Sequence, residues 1–333
     1  MSDLLSRTAT RAVRHALILW AAALVVVIAA AIAVPAFRSI VSINSLLASL
    51  APILLVSTGQ AVAILLGGID LSVGAVAGLA TVVLSLSALL PGGTPVAFAV
   101  ALLVGLAVGV LSGAGVRSGI NPLLMTFAVS GVIQGLALLL QDVPGAQAPY
   151  DGIAILATSF GPVPLMAVVA VVALVATWLW LSQSRMGRVI YAAGYDEKTA
   201  TRLGLPVRRA TYVAFALSGF FAALGGLAIL TRTYTADALV GTSSVIDSIA
   251  TVLVAGIVIT GGVGSVLNLV PAAVIIGVVG QIVTLTGTDA SIQMIFKGVL
   301  LLVAMGIYQL AGSSVRIPWR LRAPALRPTG GTA

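Results

Sequence analysis

The chain has no cysteine and a single histidine, His15, among 333 residues. Disulfides, thiol nucleophiles, thiolate metal centres and histidine-rich metal clusters are excluded on that ground. Charge is equally scarce. Only 8% of residues are Asp, Glu, Lys or Arg, against about 25% in an ordinary soluble domain. Aromatic residues make up 5% and are scattered, too few for a stacking platform. No GxxxxGK[ST] string occurs, so no nucleotide loop of that kind is present. No nucleophile–base pair or triad suggests an intramembrane enzyme.

What is present is 60% hydrophobic, with 36 Gly and 14 Pro, and a mean hydropathy of +1.18. Such a chain needs lipid as its main solvent. A helix crossing about 30 Å of hydrocarbon takes about 20 apolar residues. Runs of that kind fit near 16–36, 43–66, 70–90, 96–115, 120–140, 163–182, 210–230, 246–263, 266–286 and 292–311. The pattern predicts an all-α polytopic membrane protein of about ten spans, with about eight to eleven compatible because Gly-rich pieces can break a helix. The expected organisation is an N-terminal arm at 1–15, a membrane domain at 16–311 and a basic tail at 312–333.

The formal charge of +8 does not point to nucleic acid, because the basic residues cluster between apolar runs. Arg7, Arg11 and Arg14 lie in the arm. Arg185, Arg188, Lys198, Arg202, Arg208 and Arg209 lie in 183–209. Arg316, Arg320, Arg322 and Arg327 lie in the tail. Ten spans put all three clusters on one side, and the positive-inside rule makes that side the cytoplasm, with both termini there. Arg38 counts mildly against this scheme.

Two Gly-rich strings interrupt the apolar runs. The first is Gly67-Gly68-Ile69-Asp70-Leu71-Ser72-Val73-Gly74. It reads either as a capped junction, with Asp70 or Ser72 as the cap, or as a broken element lining a translocation path. The second, Thr260-Gly261-Gly262-Val263-Gly264-Ser265, resembles the first only loosely. Gly67, Gly68, Gly74, Gly261, Gly262 and Gly264 are the expected hinges. Pro271 offers a kink in the next span. Asn44 and Asn121 precede apolar runs and look first like caps. Gln60, Gln134 and Gln281 lie inside expected spans, either bonding across helices or facing a polar passage. Together with Asp70, Ser72 and Asn121 they are the substrate-path candidates. Lys297 has Asp289 as an available partner and Gln293 beside it.

Segment 183–209 is too polar to span lipid. It predicts a short helix from about Asp196 through Leu203, bracketed by Gly194 and Gly204, with Pro206 following. The segment is either an inside loop or a docking element for a cytosolic partner. In the docking reading Tyr195 and Leu203 offer apolar contact, and Glu197 and Arg202 polar specificity.

Four strings taken together resemble the ribose/xylose-type permeases of bacterial ATP-binding-cassette importers, with similarity also to autoinducer-2 permeases. They are GQAVAILLGGIDLSVGAVAGL at 59–79, NPLLMTFAVSGVIQGL at 121–136, GRVIYAAGYDEKTATRLGLPV at 187–207 and GTSSVIDSIATVLVAGIVITGGVGSV at 241–266. The resemblance covers roughly 40–311 and implies an inner-membrane permease subunit moving a pentose, hexose or related sugar. It implies a second permease chain, identical or homologous, two cytosolic ATP-binding subunits and an extracytoplasmic solute-binding protein. The chain itself would bind no cofactor, with ATP and Mg2+ on the partner subunits. Gly194, Tyr195, Asp196, Glu197, Thr201, Arg202, Leu203 and Gly204 would form the coupling element. The chain departs from the family pattern at 252–265, where Ala255 stands for a glycine. The alternatives are an ion-gradient carrier using Asp70, Asp247 or Asp289, and a non-transporting membrane assembly protein.

Overall fold

The computed structural model describes residues 2–141, 145–147, 153–289, 291–299 and 302. The expected tail 312–333 and most of the last expected span lie outside them. Twelve α-helices of six residues or more follow one another among the described residues. They are α1 (Ser2–Ala33), α2 (Ile40–Leu65), α3 (Val73–Ser85), α4 (Gly93–Arg117), α5 (Pro122–Leu140) and α6 (Leu165–Gln183). Then come α7 (Arg185–Tyr195), α8 (Glu197–Arg202), α9 (Val207–Thr233), α10 (Thr242–Val254), α11 (Leu269–Thr286) and α12 (291–299). Among the described residues strand is confined to two pairs of two-residue strands, Ala146–Gln147 with Thr235–Ala236 and Ser159–Phe160 with Val163–Pro164. The chain is therefore an all-α polytopic membrane protein.

Seven of these helices are long and apolar enough to cross a membrane: α1 from Arg14, α2, α4, α5, α6, α9 and α11 with its leading turn. The expected spans at 70–90 and 246–263 differ. Each is built on an α-helix of 13 residues: α3 follows the non-helical break at 66–72 and runs on into a 3-10 turn, Leu86–Leu89, and α10 leads into non-helical chain. Thirteen residues rise about 20 Å, short of the hydrocarbon thickness. The interruptions fall where Gly67, Gly256, Gly261 and Gly262 adopt positive φ of 96°, 78°, 91° and 73°. A side chain at such a φ is strained, so the helix stops there.

Two smaller features follow. Residues 2–15 of the expected arm are helical and continuous with the first span in α1. Pro271 does not kink its span. It is the third residue of α11, where the missing N–H belongs to the unpaired first turn anyway.

Helix α9 is the axis of the bundle and packs most extensively on α4, α2 and α3. Its apolar window is 72% buried, against 17% for α1, which faces outward. Small residues make this packing close. A Cβ on Gly105 of α4 would stand 2.5 Å from the Gly219 carbonyl of α9, and one on Gly59 of α2 would stand 2.9 Å from the Ser218 Cα. Lipid tails compete with any apolar side chain, so backbone proximity supplies the helix-to-helix attraction.

Candidate translocation site

The first break ends α2 with paired bonds from Gly67 N–H to the Ile64 carbonyl (2.8 Å) and Gly68 N–H to the Ala63 carbonyl (3.0 Å). These satisfy the last carbonyls of the helix, as a glycine C-terminal stop requires. Asp70 is fully buried, and its Oδ1 accepts from the Ser72 N–H at 2.9 Å and the Ser72 hydroxyl at 2.6 Å. Ser72 therefore does not cap α3 with its side chain; its hydroxyl is spent on Asp70. The Ser218 hydroxyl approaches Asp70 without reaching hydrogen-bond geometry. Thr126 of α5 ties the break down, accepting from Leu71 N–H at 3.0 Å and standing 3.1 Å from the Ile69 carbonyl.

The second break meets the first at one point. Gly262 N–H donates to the Leu65 carbonyl at 2.8 Å. Gly194, inside α7, lies between them. A Cβ there would overlap the Leu65 carbonyl and come 2.6 Å from the Gly262 nitrogen. A Cβ on Gly261 would stand 2.8 Å from the Gly67 nitrogen, and one on Gly262 2.5 Å from the Tyr195 nitrogen. Three backbone segments thus touch with no side chain between them. Tyr191 of α7 adds a hydrogen bond from its hydroxyl to the Gly264 carbonyl at 3.1 Å. Asn268 closes the break by donating to the Ala255 carbonyl at 3.2 Å. Gly67, Gly261 and Gly262 belong to this junction. Gly74 does not: it lies in α3, where a Cβ would be 2.6 Å from the Gly241 carbonyl.

The expected short helix is present as α8, one turn and a half from Glu197 to Arg202. Asp196 caps it, accepting from Thr199 N–H at 3.0 Å and, through its other oxygen, from the Thr199 hydroxyl at 2.7 Å. Those bonds, the hydroxyl first, hold the Asp196 carboxyl below the usual carboxylate range. Thr201 turns its hydroxyl back onto the Glu197 carbonyl, and Gly204 at φ 73° ends the element. Tyr195 and Leu203 are exposed, with 71% and 73% of their surface free. Glu197 is exposed and pairs with Arg117 at the end of α4 at 2.9 Å. Gly194 does not bracket the helix. It sits within α7, an amphipathic helix that the apolar-run reading overlooked. A cavity of about 410 Å³ opens beside this junction, lined by Gly67, Gly68, Arg117, Asn121, Glu197 and Phe215 among others.

A second polar cavity, of about 570 Å³, lies at the other end of α2 and α9. Ser45, Ser49, Arg232, Ser244, Gln281, Thr284 and Gln293 contribute to its wall. Asp247 of α10 and Lys297 of α12 meet there. The Lys297 Nζ is 2.7 and 2.9 Å from the two carboxylate oxygens. Lys297 therefore pairs with Asp247 and not with Asp289, which accepts from Ser291 N–H.

Of the expected path residues, Gln281 alone lines this cavity, and it also bonds to Ser42 and Ser45 of α2. Asn121 borders the cavity at the junction and caps α5 by accepting from Leu123 N–H at 2.9 Å. Gln134 donates to the Ala238 carbonyl at 2.6 Å, a helix-to-loop tie. Gln60 is fully buried, with neither end of its amide partnered among the described residues. Asp70 and Ser72 face neither cavity. Asn44 is no cap: it donates to the Pro162 carbonyl at 3.2 Å, while Ser39 caps α2. Thr126 and Arg117 carried no special signal in the sequence. The serines at 45 and 49 did, as a polar four-residue repeat in an apolar helix.

Residues 42–305 match the family described as the permease component of the branched-chain amino acid transport system. The chain is 30% identical to the ribose import permease protein RbsC of Bacillus subtilis (strain 168), over 84% of this chain and 88% of that protein. It is 31% identical to the protein of the same name from Haemophilus influenzae, over 81% and 86%. It is also 31% identical to the autoinducer 2 import system permease protein LsrD of Photorhabdus laumondii, over 72% and 74%.

Proposed function

Since the chain belongs to this permease family and is the membrane-spanning transport subunit of an importer, we propose that it carries a small polyhydroxylated solute, a pentose or hexose or a related sugar, inward on ATP hydrolysed by partner subunits. The observation that carries this reading is the placement of a polar cavity at one end of α2 and α9 and of the Gly194 junction with α8 at the other. The junction end faces the cytoplasm by the positive-inside rule, with Arg117, Arg185, Arg188, Lys198, Arg202, Arg208 and Arg209 around it. The cavity end then faces a solute-binding protein. Tyr195 and Leu203, exposed beside a charged helix, suit a groove on a cytosolic ATP-binding subunit. ATP and Mg2+ reside there and not on this chain.

The cycle needs no covalent chemistry on the chain. It needs outward-open and inward-open states whose relative stability changes with nucleotide on the partner. The sugar relatives favour a sugar, and a wall of serines, threonines and amides suits hydroxyls that would otherwise lose their hydrogen bonds in the membrane. Reconstitution with its ATP-binding and solute-binding partner proteins in proteoliposomes should give ATP-dependent uptake of at least one sugar in a panel. Uptake driven by an ion gradient without the ATPase overturns the reading.

A further inference from the structure

The Asp247–Lys297 pair is buried within the wall of the larger cavity, its side chains 12% and 14% exposed. It joins α10 to α12, and a helix tie is the plainest role for it. Its surroundings point further. A buried carboxylate has about four acceptor sites and ordinarily fills them with several donors. Among the described residues Asp247 receives one donor group, the Lys297 ammonium. Two hydroxyls close to it in α10 are spent on carbonyls. Ser248 donates to the Val245 carbonyl, and Thr251 to the Asp247 main-chain carbonyl. The ammonium, with three hydrogens, has Asp247 as its only protein acceptor among the same residues. Spare acceptor and donor capacity therefore sit side by side on the wall of a polar cavity. The pair is neutral overall, and Arg232 is the one further charged side chain on the cavity wall among the described residues.

We propose that Asp247 and Lys297 are the specificity-determining residues of the cavity and that they anchor a neutral solute through two adjacent hydroxyls. One hydroxyl donates to an Asp247 oxygen, and the oxygen of its neighbour accepts from the Lys297 ammonium. A vicinal diol matches this side-by-side arrangement; a lone hydroxyl uses half of it, and a carboxylate cargo would compete with Asp247 for the ammonium. The proposal rests on the importer reading above and adds which residues recognise the cargo.

Two measurements test it. The first is ATP-driven uptake by the reconstituted importer carrying Asp247→Asn, Lys297→Gln, or the exchange Asp247→Lys with Lys297→Asp. Loss of a charge-assisted hydrogen bond costs about tenfold or more, so each single variant should lose at least that in uptake. The exchanged pair restores the tie between α10 and α12 but reverses donor and acceptor, and it should remain impaired. Wild-type uptake by the exchanged pair overturns the proposal. The second keeps the pair intact. Ser244 lies one helical turn before Asp247 and lines the same cavity. Alkylation of a Ser244→Cys variant should be slowed by the transported sugar and much less by its analogue lacking one of the adjacent hydroxyls. Equal or absent protection by the two overturns the proposal even if the charge variants fail to fold. Failure of the unaltered complex to take up any sugar is a different result, and overturns the importer reading together with the anchor.

Discussion

Gly194 lies in the last turn of α7, where alanine would ordinarily gain about 1 kcal/mol of helix propensity. Here the added methyl meets the Leu65 carbonyl and the Gly262 nitrogen. Overpacking of that kind costs about 1–3 kcal/mol, so sterics outweigh propensity. Gly194→Ala should lower the melting temperature of the purified chain and weaken association with the ATP-binding subunit. Gly204 is the control: its φ is positive but no atom stands near its missing Cβ, so Gly204→Ala should cost only backbone strain of about 1 kcal/mol. A Gly194→Ala protein as stable as its parent rules out the close approach. Asp196 yields a pH dependence. Its carboxyl is held low when folded, so the cap contributes above the unfolded value near about 4 and is lost as pH falls through the lower folded value. Amide exchange across 197–203, corrected for intrinsic rates, should be flat near neutrality and rise only on strong acidification. Asp196→Ala should show the fast rate throughout. At this scale the cap at Asn121 was legible, because Asn-Pro before an apolar run has one local meaning. The direction in which Gln60 and Asp70 point was not, since which face of a helix meets a neighbour is decided by the neighbour.

Among the elements, the half-length helices α3 and α10 do what a full span cannot. Each ends inside the bundle, and its neighbouring break is held by side chains or carbonyls from elsewhere: Thr126 for the first, Leu65, Tyr191 and Asn268 for the second. Unpaired backbone in a membrane is tolerated only with such partners. Thr126→Val keeps the shape and removes the hydroxyl, leaving the Leu71 N–H without its acceptor. A loss of about 1–3 kcal/mol is expected, read as a lower melting temperature, with Thr126→Ser largely restoring it. The Gly-rich strings announced these breaks by composition. That the two breaks meet was hidden, because their separation in sequence says nothing about the path of α9 between them. Helix α7 was hidden for another reason: it is amphipathic and polar on one face, and a search for apolar runs passes over it.

For the whole molecule, the absence of cysteine makes orientation directly measurable. Lys198→Cys and Leu239→Cys, both at exposed positions, should react with a membrane-impermeant maleimide from opposite sides of inner-membrane vesicles. Leu239→Cys should be the one labelled in intact cells. Labelling of both from one side overturns the assignment of the junction to the cytoplasm. The membrane class was legible from scarce charge, and the polar segment holding α8 from the clustering of that charge. The cavity was not, because Ser45, Arg232, Asp247, Gln281 and Lys297 come from five separated stretches that only the packed bundle assembles. The contact at Gly194 bears on both ends at once. Backbone against backbone has no rotamer to yield, so it behaves as a stiff bearing rather than a cushion. From Ala255 back to Asp247 the chain rises about 12 Å along α10. A tilt of about 10° at the bearing would swing the Asp247 end by about 2 Å over that length. That is enough to open a contact now at 2.7 Å beyond ion-pair reach. On the proposed anchor, such a tilt would part the donor from the acceptor and release both hydroxyls of the solute together.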